Sequence, residues 1–231
     1  MLSIEKLEIF NNKQVKSKVA VEVKSRMSRT EYYEELKSLA RSIRSDFHIA
    51  TPRVLKSDLR RIYKHYKIDI DLWPRPGSHS SVKLKKLRGA FFYNGSSASV
   101  MLNRDLPDEP RIFTMGHELK HFLKDKDLGS LYCGNHNQNE LIEIGAEVFA
   151  AELIFPDKDF RENFMDISVK CISCPAEKLV HLKQKTLTTL SYAALVKKAV
   201  FFKFAKDDDF KDVKWRQLED KLYNIPRYNR N

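Results

Sequence analysis

Three cysteines in 231 residues is a sparse and odd complement. It argues against a disulfide framework, and so against the small stapled scaffolds of the secreted class. Long apolar runs are missing too. No window approaches the ~18 apolar residues of a membrane-spanning helix, and the most apolar late stretch, YAALVKKAVFFKFA at 192–205, is broken by three lysines. The opening MLSIEKLEIFNNK carries charge from its fifth residue and has no apolar run, so it does not read as a secretory signal. Repeats and low-complexity segments are absent. The expectation is a cytoplasmic protein without a membrane association.

What is present is a globular composition. Hydrophobic residues make up 42% and charged residues 32%, mixed in sign. The formal net charge is +11, with basic clusters at 13–24, 60–67 and 83–88. Such charge serves as a solubilising surface or draws nucleic acid or an acidic partner. Charge alone does not choose, and nucleic-acid binding is expected to be weak and non-specific at most.

Along the chain, VAVEV at 19–23 suggests a strand in a basic leading segment. SRTE at 28–31 forms a capping box ahead of apolar residues at helical spacing, Tyr32, Leu36, Leu39 and Ile43. Thr51-Pro52 marks a second helix start, running towards Tyr66. A short strand at 68–73 precedes a turn-rich break at 74–81. GAFFYN and ASVMLN flank Gly95-Ser-Ser97 as a hairpin. A helix over 141–155 stops at Pro156, and further helices are expected over 175–185, 191–204 and 213–223. Helices, a small sheet, then helices make an α+β arrangement. Three segments follow: 1–80, a basic segment and helical lobe; 81–205, the central domain with trailing helices; and 206–231, a C-terminal helix and tail.

The chemistry concentrates in FTMGHELKHFL at 113–123. Residues four apart on a helix are separated by about 400°, so His117 and His121 present two imidazoles to one point. Glu118, about 100° further round, is poorly placed to ligate but well placed beside an open coordination position. A zinc hydrolase needs this layout: the metal lowers the pKa of its water and a carboxylate accepts the proton. Chance alone would produce H-E-x-x-H in roughly one such chain in a hundred. Phe113, Met115, Leu119, Phe122 and Leu123 mark a buried helix, where histidines and an acid without partners are disfavoured.

Catalytic zinc takes three protein ligands and keeps a fourth position for water. The third should come from a second helix, and IEIGAEVFAAELIFP at 142–156 offers Glu143, Glu147 and Glu152. Ile142, Ala146, Phe149, Ala150 and Leu153 supply its apolar positions, and its small residues permit close packing. Glu143 and Glu147 share a face, so one could ligate while the other orients a ligating histidine. Glu152, about 180° from Glu143 by helical count, is expected to face solvent.

With these motifs in view, the chain resembles the ImmA/IrrE-type metallopeptidases. The resemblance rests on MLNRDLP, RIFTMGHELKHFL, and the helix with Glu143, Ala146, Phe149, Ala150, Ala151, Leu153 and Pro156 in the pattern E-x-x-A-N-x-F-A-A-x-L-L-x-P. It departs from the pattern at Lys120, where glycine usually precedes the second histidine, and at Glu147, where asparagine is usual. It implies a mostly helical zincin-like fold with a small sheet beside the HExxH helix. It also implies Zn2+ held by His117, His121 and Glu143, with Glu118 as general base. The implied activity is limited proteolysis of a regulatory protein such as a helix-turn-helix repressor or an antitoxin, within a stress-response or toxin–antitoxin pathway. A rival expectation is a non-catalytic DNA-binding or partner-sequestering regulator on the same scaffold, for which residues 175–204 could pass as a helix-turn-helix.

Two further groups stand out. Cys133, His136, Cys171 and Cys174 have the spacing of a second, structural zinc site, against the reading of cysteines as small buried hydrophobes. Tyr132, His136 and Tyr192 are candidate hydrogen-bond donors to a developing oxyanion, with purely structural roles as the alternative.

Overall fold

The computed structural model describes residues 27–50, 52–74, 87–128, 131–132, 140–169 and 174–223. The strand expected at 19–23, the turn-rich stretch from 75 on and the basic residues 83–86 lie outside them. Compact packing divides the chain into two units: Met1–Ile49 with Leu55–Leu153, and Ala50–Val54 with Ile154–Asn231.

In the first unit, helix α1 (Arg29–Asp46) starts at the expected capping box. Ser28 Oγ accepts the Glu31 N–H at 3.2 Å, and the Glu31 carboxylate accepts the Ser28 N–H at 2.9 Å. Its buried stripe is Tyr32, Leu36, Ala40 and Ile43. Helix α2 (Lys56–His65) begins later than Thr51-Pro52 suggests, because the Asp58 carboxylate accepts the Leu55 N–H at 2.9 Å and satisfies a donor at that point.

The sheet is small and mixed, with strands β1 (Ile68–Trp73), β2 (Gly89–Tyr93), β3 (Ala98–Asn103) and the two-residue β4 (Leu131–Tyr132) in the order β1-β3-β2-β4. β1 runs parallel to β3 with Ile70 opposite Val100, and β2 pairs antiparallel with both β3 and β4. The expected hairpin is therefore β2–β3, tied at its turn by Asn94 Oδ1, which accepts the N–H groups of Ser96 and Ser97. Ala98, Val100 and Leu102 alternate inward along β3.

Helix α3 (Asp108–Lys120) carries the H-E-x-x-H motif. At His121 it widens into one π-helical turn, His121–Asp125, a feature the sequence pattern did not announce. Helix α4 (Glu140–Ile154) buries all five of its expected apolar positions. It is enclosed on more than one side. An ideal Cβ on Gly116 of α3 would stand 3.2 Å from Ala150, and one on Gly145 would stand 2.8 Å from the Tyr32 ring of α1. Tyr63 of α2 braces α3 by donating to the Met115 carbonyl at 2.8 Å.

The second unit is helical: α5 (Asp157–Val169), α6 (Pro175–Thr186), α7 (Tyr192–Phe201), a 3-10 turn Asp207–Phe210 and α8 (Trp215–Tyr223). Phe160, Phe164 and Phe204 stack on one another in it, with Phe164 and Phe204 4.9 Å apart. No helix among the described residues is long and apolar enough to cross a membrane. The architecture is α+β, mostly helical with a small mixed sheet.

Candidate metal centre

One turn of α3 brings His117 and His121 onto the same side, as spacing requires, and their Nε2 atoms face each other at 3.1 Å. Glu143 enters from the first turn of α4. Its Oε2 lies 3.2 Å from His117 Nε2 and its Oε1 3.6 Å from His121 Nε2. Ligand atoms around a tetrahedral zinc, with bonds of about 2.0–2.1 Å, stand about 3.3 Å apart. These three side chains are the one group of metal-ligating residues found among the described residues.

The donor set fits a cation better than it fits itself. Glu143 Oε1 is buried and makes no hydrogen bond among the described residues. His121 is fully buried, and its Nδ1 lies 3.0 Å from Asp125 Oδ2. A proton on Nδ1 donated to that carboxylate leaves the Nε2 lone pair directed at His117 and Glu143. Two imidazole nitrogens and a carboxylate then converge on one point, an arrangement that a cation satisfies.

Electrostatics favour the ligating forms of His121 and Glu143. Burial lowers the His121 pKa below the ordinary histidine value against the pull of Asp125, and His117 and Lys120 add to the lowering. Burial works to raise the Glu143 pKa. The hydrogen bond to His117 and the positive surroundings, the Lys120 ammonium among them, outweigh it, so the carboxylate lies below its usual range. A neutral imidazole and an ionised carboxylate are the species that bind metal.

Glu118 is fully buried on the β2 side of α3. Gly89, at the start of β2, makes room for it: a Cβ there would stand 2.7 Å from Glu118 Oε1 and 2.5 Å from Thr114 Cγ2. The access side lies at the other residues. The Glu143 side chain is 25% exposed and that of His117 10%, against none for His121.

Several sequence expectations meet the structure differently. Glu152 does not face solvent; it is 1% exposed and pairs with Arg41 of α1 at 2.9 Å, because α1 covers the side of α4 opposite Glu143. Arg44 completes that contact by donating to the Leu153 carbonyl at 2.7 Å. Glu147 is exposed, and the His121 imidazole is oriented by Asp125 instead. Asp125 and its partner Lys120 were not singled out as partners from the sequence; Lys120 stood out only as a departure from the family pattern. The only available signal was the four-residue spacing from His121. Tyr192 stacks on Trp215 with rings 4.3 Å apart, and its hydroxyl donates to Glu219. Cys174 is exposed, while Cys133, His136 and Cys171 lie outside the described residues, as does the side chain of Tyr132.

Comparison with known families places this geometry. Residues 78–168 match the family Peptidase_M78, described as the IrrE N-terminal-like domain. The matched stretch contains His117, Glu118, His121 and Glu143, and is consistent with the ImmA/IrrE family. For that stretch it implies a metallopeptidase-type scaffold. No curated protein matches the chain.

Proposed function

We propose that this protein is a cytoplasmic zinc-dependent endopeptidase that makes a limited cut in a regulatory protein, with a helix-turn-helix repressor or antitoxin as the expected substrate. The observation that carries the reading is the convergence of His117, His121 and Glu143 from two helices with Glu118 buried on the same motif helix. Ligands alone would suit a structural metal, but structural zinc sites are closed by four protein ligands and have no use for an adjacent base.

A zinc ion held by the three side chains would supply Lewis acidity to the scissile carbonyl and acidify the attacking water. Glu118 takes the proton from that water and returns it to the leaving amine. Asp125 fixes the His121 tautomer, so that the imidazole offers Nε2 throughout. The regulatory-protein substrate rests on the resemblance to the ImmA/IrrE-type peptidases.

Glu118→Gln tests the assignment. The amide matches the carboxylate in size but cannot accept the proton. The variant should fold, keep its metal and lose proteolysis by about 10²–10⁴-fold. The assay is cleavage of a helix-turn-helix repressor-like protein, followed by electrophoresis. Near-normal cleavage by the variant would remove Glu118 from the role of base.

A further inference from the structure

Lys120 sits where a lysine is least expected. Its side chain has no exposure, and its neighbours in sequence are a core leucine and a candidate ligand. Burying an ammonium is unfavourable unless it is paired and hydrogen-bonded, and this one is both. Nζ donates to Asp125 Oδ2 at 2.6 Å and to the Ile142 carbonyl at 2.9 Å, and lies 5.8 Å from the centre of the Tyr32 ring.

Those two acceptors join the halves of the candidate centre. Asp125 Oδ2 is the same atom that meets His121 Nδ1. Ile142 is the residue before Glu143, in the first turn of α4. One ammonium therefore contacts the group that orients a ligand from α3 and the backbone that sets the position of the ligand from α4. Glycine is usual here in the ImmA/IrrE-type pattern, so the H-E-x-x-H motif itself does not require this tie.

We propose that Lys120 is a positioning residue of the metal centre: it holds Asp125 and the first turn of α4 so that His121 and Glu143 are aligned before metal arrives. The proposal rests on the zinc-site reading above and adds to it a cause for the alignment. The ammonium keeps the Asp125 carboxylate in place as an acceptor for His121 Nδ1–H, and the bond to Ile142 keeps Glu143 at reach. Without it, each ligand must be ordered at the moment of binding, which weakens affinity.

The test titrates metal-free full-length protein with Zn2+ against a chromogenic chelator, and with Co2+ read by its visible ligand-field bands. Wild type is compared with Lys120→Met, Lys120→Gln, Asp125→Asn and the Lys120→Gln/Asp125→Asn double variant. Both lysine variants should bind zinc about 10–100-fold more weakly, with altered Co2+ bands. The double variant should lose less than the product of the two single losses, because both changes break one path to His121. Should Lys120→Met fail to fold, Lys120→Gln, one atom shorter but with a polar donor and no charge, carries the comparison. Folded variants with wild-type zinc affinity and Co2+ bands would overturn the proposal, even with a lower melting temperature, since Lys120 would then serve packing alone. Wild type that takes up no zinc would overturn the metal reading itself.

Discussion

At the scale of single residues, the site depends on side chains that a pattern search passes over. H-E-x-x-H identifies His117, Glu118 and His121 because three constrained positions on one helix have few other uses when buried. It says nothing of what holds them. Asp125 lies in the charge run KDKD at 124–127 and Lys120 inside the motif itself, and only a folded chain reveals that the two are paired and fully enclosed. Gly89 is a second case: its meaning lies in space that Glu118 and Thr114 occupy, and no local pattern encodes that. Gly89→Ala should force Thr114 and the Glu118 carboxylate to shift. Metal content should be unchanged, while peptidase activity falls by on the order of 10–100-fold, the effect of displacing a catalytic group by a fraction of an ångström to an ångström. Activity equal to wild type, measured beside metal content, would mean that Glu118 needs no such clearance.

Among the elements, α3 and α4 do the work. Helical periodicity gives both, together with the five buried apolar positions of α4, because a core-facing stripe is a strong signal. The same reasoning misplaces Glu152. It assumes one buried face, whereas α4 is wrapped by α1 on its far side, where Arg41 meets Glu152 at 2.9 Å. Helix α5 escapes the reading because the charges of DKDFRENFMDISV obscure Phe160, Phe164 and Ile167, which are spaced i, i+4, i+7 and buried. The packing of α4 also separates its two candidate ligands. Glu143 faces the imidazoles and Glu147 is exposed. Glu143→Ala should release zinc to a mild chelator, with a loss of affinity well beyond the roughly 10–100-fold of a supporting residue. Glu147→Ala should keep it. The reverse ranking in chelator resistance would make Glu147 the ligand and rotate α4 from the packing described.

On the scale of the whole molecule, the formal charge of +11 is the property that speaks for the rival regulator. A basic surface attracts polyanions whatever its purpose. The pair α6–α7, where a helix-turn-helix would sit, buries Leu182 and Leu195, as any packed helix pair does. Binding to duplex DNA should therefore be weak, independent of sequence and steeply reduced by salt as counterions are released. Fluorescence anisotropy with several unrelated duplexes at rising salt measures this. A specific, salt-resistant footprint would favour the regulator.

The central claim is that His117 and His121, with Glu143, hold a catalytic zinc. Metal analysis of the purified protein beside the His117→Ala/His121→Ala double variant addresses it directly. The account predicts about one zinc per chain in the wild type and essentially none in a double variant that remains folded. Full zinc retention by the double variant would contradict it.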